Sequence, residues 1–260
     1  MDGRPTVNIY ANRDALSAAL AAHVIRLANM TSAARGRFCV ALSGGSLMDI
    51  ISPPLGSHSL RDTLNWSSWH VFWADERWVP WRSPESNHGL AQRQFFNRVS
   101  IPEEQVHATD DSLSPIETAY AYESTLATVF QTEADQMPRF DLVLLGIGDD
   151  GHTASLFPSH PALNETRRWV VPVFGSPKPP PIRISMTLPV INNARHVIFV
   201  AAGPGKAKIV SKVLNYRVQQ PELPARRVNP SNGELQWFID RAAAAECGEH
   251  ALNNKNTSLL

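Results

Sequence analysis

Apolar residues gather along this chain in short runs, and each run stops at a polar or glycine-rich stretch. After Asn12, the residues Leu16, Leu20, Val24 and Leu27 recur at the spacing of one helix face, which predicts an amphipathic helix with Asn12 as its N-cap. Phe38-Cys39-Val40-Ala41-Leu42 follows a different pattern, five apolar residues in a row that stop at Ser43-Gly44-Gly45-Ser46. That run reads as a buried strand entering a tight turn. The same punctuation returns three times. His70–Ala74 ends at Asp75-Glu76-Arg77, Phe140–Leu145 at Gly146-Ile147-Gly148-Asp149-Asp150-Gly151-His152, and His196–Ala202 at Gly203-Pro204-Gly205-Lys206. Continuous apolar runs mark strands covered on both faces, and the helical segments Pro115–Gln131 and Lys206–Tyr216 supply crossovers. The expected fold is therefore α/β with a mostly parallel central sheet flanked by helices. In such sheets ligands collect beyond the carboxyl ends of the strands, where these four loops converge.

Each loop carries a possible chemistry beside a bland alternative. Ser43, Gly44, Gly45 and Ser46, between strand and helix, suit an anion because glycines let backbone amides approach closely; the alternative is a simple turn. Asp75-Glu76-Arg77 joins carboxylates that take sugar hydroxyls to a guanidinium that grips phosphate, or else is a solvated strand end. Trp73, Trp78 and Trp81 around it read as packing residues. Gly146–Gly151 matches the dinucleotide fingerprint G-x-G-x-x-G. Asp149 and Asp150, however, stand where a pyrophosphate needs unopposed amides, and Pro158 and Pro161 interrupt any following helix. The same residues read better as Asp150-Gly151-His152, an imidazole on a crevice loop with a carboxylate near enough to fix its tautomer. Lys206 and Arg183 add cations that either face the crevice or lie on the surface. The stiff run Ser176–Pro181 reads as a loop that presents Arg183 and the strand after it. No seryl nucleophile elbow is present, and Ser155 lacks that setting.

Composition then narrows the classes. The 260 residues carry 24 basic and 24 acidic side chains, so the chain lacks the positive footprint of a nucleic-acid binder or of a protein drawn to acidic membranes. Two cysteines, Cys39 and Cys247, form neither a disulfide framework nor a zinc pattern, and no metal site is expected. The N-terminal segment has neither the basic start nor the apolar run of a signal peptide, and no stretch is long enough to span a bilayer. A cytoplasmic protein is expected, with one domain over residues 1–246 and a loosely ordered tail over 247–260.

Taken together, these motifs resemble the 6-phosphogluconolactonase family, which shares a superfamily with the glucosamine-6-phosphate deaminases. The resemblance runs from about Leu42 to Ile239. Its most specific part is Gly146–Pro158, supported by Leu42–Ser46, Asp75–Arg77, Ser176–Arg183 and Leu188–Ala194. Where many bacterial members continue the first motif as Ser-Thr-Pro, this chain has Ser46-Leu47-Met48. The resemblance implies a Rossmann-like three-layer sandwich and no cofactor. It further implies hydrolysis of 6-phospho-D-glucono-1,5-lactone to 6-phospho-D-gluconate, the second step of the oxidative pentose phosphate pathway. Carried over, His152 becomes the base and Asp150 its partner, while Ser43, Gly44, Gly45, Ser46, Asp75, Arg77, Arg183 and Lys206 bind substrate. The expected partner is the small sugar-phosphate lactone, acting on a monomer or weak homodimer. Two rivals remain, an amino-sugar-phosphate deaminase on the same fold and a sugar-phosphate sensor without activity.

Overall fold

The computed structural model describes residues 5–61, 64–132, 136–216, 218, 223–248 and 257–259. Its strands are β1 (Thr6–Tyr10), β2 (Phe38–Leu42), β3 (Trp69–Trp73), β4 (Asp75–Arg77), β5 (Val106–His107), β6 (Leu142–Leu145), β7 (Val170–Val173), β8 (Arg183–Met186), β9 (His196–Ala201), β10 (Glu234–Asp240) and β11 (Thr257–Leu259). Eight of them form one sheet in the order β11-β1-β10-β9-β6-β2-β3-β5, and every pairing in it is parallel. The four apolar runs are its β2, β3, β6 and β9, at or near the centre.

Side chains along β2 alternate between two apolar cores, as strand geometry requires. Phe38, Val40 and Leu42 pack with Leu16, Leu20 and Val24 of the helix Arg13–Arg35 and with Leu47 and Ile51 of the helix Ser46–Leu55. Cys39 and Ala41 face the other way, toward Ala119, Tyr122 and Leu126 of Pro115–Phe130 and toward Ile209, Val210 and Val213 of Ala207–Leu214. Helices thus cover both faces, which is why β2 and β6 are apolar at every position. The first helix begins where expected: the Asn12 side chain accepts the Ala15 N–H at 2.9 Å, and Gly36, at φ 74°, ends the helix in a left-handed turn.

A second, three-stranded antiparallel sheet, β4-β8-β7, stands at the carboxyl end of the first. It follows β3 after one residue, and the Met186 N–H binds the Ala74 carbonyl at 2.8 Å. Asp75-Glu76-Arg77 is therefore not a loop after a strand but a strand of its own, in register with Ser185, Ile184 and Arg183. Asn8 and Gln236 break the apolar runs of β1 and β10, so the pattern does not announce these strands. Their parallel pairing over Thr6–Tyr10 and Gln236–Asp240 forms them. Within the tail, Thr257–Leu259 pair in parallel with β1, whose outer edge offers unpaired amides and carbonyls. Residues 249–256 and Leu260 lie outside the described residues.

Tyr122 links the sheet to its helical layer. Its hydroxyl accepts the Trp73 N–H at 2.7 Å and donates to the His107 carbonyl at 3.1 Å, and burial pushes its pKa well above the usual phenol value. Tyr122→Phe leaves that donor and acceptor unpaired in the core, so chemical denaturation should show a loss of about 1–3 kcal/mol.

Candidate active site

β2 leads on to β3 and β6 to β9, in opposite directions across the sheet, so a crevice opens beyond their carboxyl ends. A cavity of 530 Å³ lies there, and Ser43, Gly44, Gly45, Ser46, Asp75, Arg77, Arg183, Lys206 and His152 all line it. Asp150 stands behind His152. The loops that the sequence reading singled out are brought together, with Asn87, Asp149 and Lys178 added to the wall.

His152 is held from several sides. Its Nδ1 lies 2.5 Å from Asp150 Oδ1, and its backbone N–H donates to the same oxygen at 3.0 Å. Its ring packs on Phe157 at 4.5 Å, and its carbonyl accepts the Gly148 N–H at 2.9 Å. Burial disfavours the Asp150 carboxylate, but the His152 hydrogen bonds outweigh it and bring the carboxyl down to about 2. An ionised carboxylate only accepts, so Nδ1 carries the proton and Nε2 is the nitrogen left with a lone pair. A Cβ on Gly148 would stand 2.0 Å from His152 Nδ1, which accounts for a glycine there. Past Gly151 the chain enters turns rather than a helix, so the G-x-G-x-x-G match lacks the helix N-terminus that a pyrophosphate needs.

Among the described residues, four cations line the same cavity. Arg77 and Arg183 are cross-strand partners on β4 and β8, which sets both side chains on one face. Arg183 is buried, and its guanidinium donates to the carbonyls of Pro179 at 2.9 Å and Pro180 at 3.2 Å. The proline-rich run thus holds the arginine it was expected to present. Burial first, and Arg77 in addition, hold Arg183 below the ordinary guanidinium value against the pull of Asp75. Lys206 ends the 3-10 turn Pro204–Lys206 at the N-cap of the helix Ala207–Leu214, and it donates from Nζ to the Ile147 carbonyl at 2.6 Å, on the loop that carries His152. Lys178 reaches across to Asp149 at 2.7 Å.

Asn87, which the sequence reading did not single out, lines the cavity, and Glu76, read there as a carboxylate for sugar hydroxyls, does not. Asn87 is 1% exposed and donates to the Asp75 carbonyl at 2.8 Å, leaving its Oδ1 without a hydrogen-bond partner among the described residues. A Cβ on Gly44 would meet that oxygen at 1.8 Å, so the glycine in this turn makes room for Asn87. Glu76 is buried and turned away from the cavity, where it accepts the N–H groups of Arg77, Asn87 and His88 and the Ser86 hydroxyl. It caps the helix Asn87–Gln94 and so sets Asn87 in place. Neither role has a local motif. Ser155 is fully buried, and its hydroxyl donates to Asp75 Oδ2 at 2.7 Å. It fastens the His152 loop to β4 and is closed to substrate. No group of three or more His, Cys, Asp and Glu side chains among the described residues is placed to hold a metal.

Fold and crevice define an α/β protein with a cation-lined cavity at a parallel sheet's carboxyl edge. The profile described as "Glucosamine-6-phosphate isomerases/6-phosphogluconolactonase" matches residues 11–237, and the chain belongs to that family. It is 43% identical to a 6-phosphogluconolactonase of Homo sapiens over 92% of each chain. It is 42% identical to "Probable 6-phosphogluconolactonase 4, chloroplastic" of Oryza sativa subsp. indica, over 92% of this chain and 76% of that one. Among solved structures, the 6-phosphogluconolactonase of Trypanosoma brucei superposes with a TM-score of 0.83 at 28% identity, covering 94% of this chain and 99% of that one. A monomeric glucosamine-6-phosphate deaminase, 18% identical, superposes at 0.74 over 92% of this chain and 99% of that one, which speaks to the fold alone.

Burial pushes the Glu76 carboxyl up to about 7, against its backbone hydrogen bonds. The native state then holds a proton that the unfolded chain releases from about pH 4.5, so this group's contribution to stability is lost as pH rises through 7. Glu76→Gln has no such loss. Denaturant titrations at pH 4.5 and 7.5 should show the variant gaining about 3 kcal/mol on the parent between the two conditions.

Proposed function

We propose that this chain hydrolyses 6-phospho-D-glucono-1,5-lactone to 6-phospho-D-gluconate in the cytoplasm, with His152 as general base. The observation that carries the reading is the Asp150–His152 pair at 2.5 Å on the wall of a cavity that Arg77, Arg183, Lys178 and Lys206 also line. A phosphorylated cyclic ester needs a dianion site at one end and a water-activating group at the other. The paired arginines Arg77 and Arg183, beside the Ser43–Ser46 turn, suit the phosphate.

In the first step Nε2 of His152 takes a proton from water as its oxygen bonds to C1, and the carbonyl electrons move onto the oxygen. The Asp150 carboxylate stabilises the imidazolium. Lys206, bound to the same loop, is the donor assigned to the oxyanion. In the second step the oxyanion re-forms the carbonyl, the bond from C1 to the ring oxygen breaks, and His152 returns its proton to the leaving oxygen. Asp75, on the cavity wall, offers an acceptor for a sugar hydroxyl. The names of the human and trypanosomal relatives support the lactone as substrate.

His152→Ala should lower kcat by two to four orders of magnitude, roughly the range for a lost general base, with a modest change in KM. Near-normal turnover would remove His152 from the mechanism. Gly148→Ala drives a methyl group into the imidazole and should cost about 100-fold in kcat through misplacement of the base, with little change in melting temperature. Ammonia release from glucosamine 6-phosphate would support the deaminase reading instead.

A further inference from the structure

At the opposite edge of the sheet, where β2, β6 and β9 begin, four guanidinium groups surround one carboxylate. Arg35 ends the first helix, Arg37 precedes β2, Arg139 and Asp141 precede β6, and Arg195 precedes β9. Together they line a recess of 250 Å³. Asp141 is buried, and its hydrogen-bonding capacity is largely committed. Its carboxylate accepts the Cys39 N–H at 2.9 Å, meets Arg35 at 2.7 Å and lies 3.4 Å from Arg195. Arg37 and Arg139 have no carboxylate partner among the described residues. Each gives one N–H to a carbonyl, of Val129 and Asn232 respectively, at 2.5 Å. Arg139 Nε and the hydroxyl of Thr132 are buried at the recess with no hydrogen-bond partner among the described residues.

Like charges do not converge in a recess without cost. Burial, then Arg35 and Arg139, hold the Arg195 guanidinium below its ordinary value, and only Asp141 opposes them. In a chain whose formal charges sum to zero, this concentration is local, and among the described residues Asp141 is the one carboxylate lining the recess. We propose that the recess is a second anion site, one that takes the phosphoryl group of a small molecule. Guanidinium forks match phosphate oxygens and are less strongly hydrated than ammonium groups. The recess is smaller than the roughly 300–1,000 Å³ of pockets that enclose whole organic ligands, so it suits the phosphoryl group, with the rest of the molecule outside. Its concave shape disfavours a flat polymer or membrane surface.

Inorganic phosphate is the probe, and hydrogen exchange read by mass spectrometry on the full chain locates it. Phosphate should slow exchange at residues 37–41 and 139–142, with a saturation curve separate from any at residues 43–48 and 203–207 in the crevice. Arg37→Gln and Arg139→Gln should each weaken the effect at 37–41 about tenfold, the loss of roughly one charge-assisted hydrogen bond. Neither should change kcat/KM for the lactone. Protection confined to the crevice segments, or protection at 37–41 that the variants leave intact, overturns the proposal. If the variants fail to fold, the unmodified protein still decides it by where phosphate slows exchange.

Discussion

Parallel pairing of β6 with both β2 and β9 is the constraint from which the rest of the crevice follows. Parallel strands deliver their carboxyl ends to one edge, so the turns after Leu42, Leu145 and Ala201 start side by side although they are far apart in sequence. The chain leaves β2 and β6 in opposite directions, which keeps the space between those turns open. The small antiparallel sheet closes one side of this space. Its position is fixed by the short link from β3 and by the buried bonds from Ser155 to Asp75 and from Met186 to Ala74.

Charge is distributed on the same plan. Basic and acidic side chains balance over the whole chain, yet Arg77, Arg183, Lys178 and Lys206 share one cavity wall system. Each cation is restrained before any ligand arrives. Arg183 is held by proline-loop carbonyls, Lys206 by Ile147, Lys178 by Asp149, and Arg77 by the Glu85 carbonyl at 2.6 Å. Restraint of this kind reduces the ordering cost of binding. On the proposed reading it also separates the work of gripping phosphate from the work of moving a proton at His152.

How far the sequence discloses this depends on the range of the interactions. The helix after Asn12 and strands β2, β3, β6 and β9 are legible because their apolar spacing is local. Ser43–Ser46, Asp75, Arg77, His152, Arg183 and Lys206 are legible because each ends or begins such an element, and chemistry at strand ends converges. β1 and β10 are not legible, since polar residues interrupt their apolar runs and β1 becomes a strand through a partner more than two hundred residues away. The place of Asn87 and the buried capping role of Glu76 are hidden because neither has a local motif. One owes its place to a carboxylate on another element, and the other is a charged residue buried by a helix N-terminus that the sequence gives no reason to bring there. The G-x-G-x-x-G match shows the opposite case, where a local pattern is present and its required helix is absent.

The most direct test is hydrolysis of freshly prepared 6-phospho-D-glucono-1,5-lactone by the purified full chain, read through a coupled 6-phosphogluconate dehydrogenase and corrected for the spontaneous reaction. The proposed function predicts a rate proportional to enzyme concentration and far above the uncatalysed background. A rate equal to that in buffer, from folded protein, would contradict it.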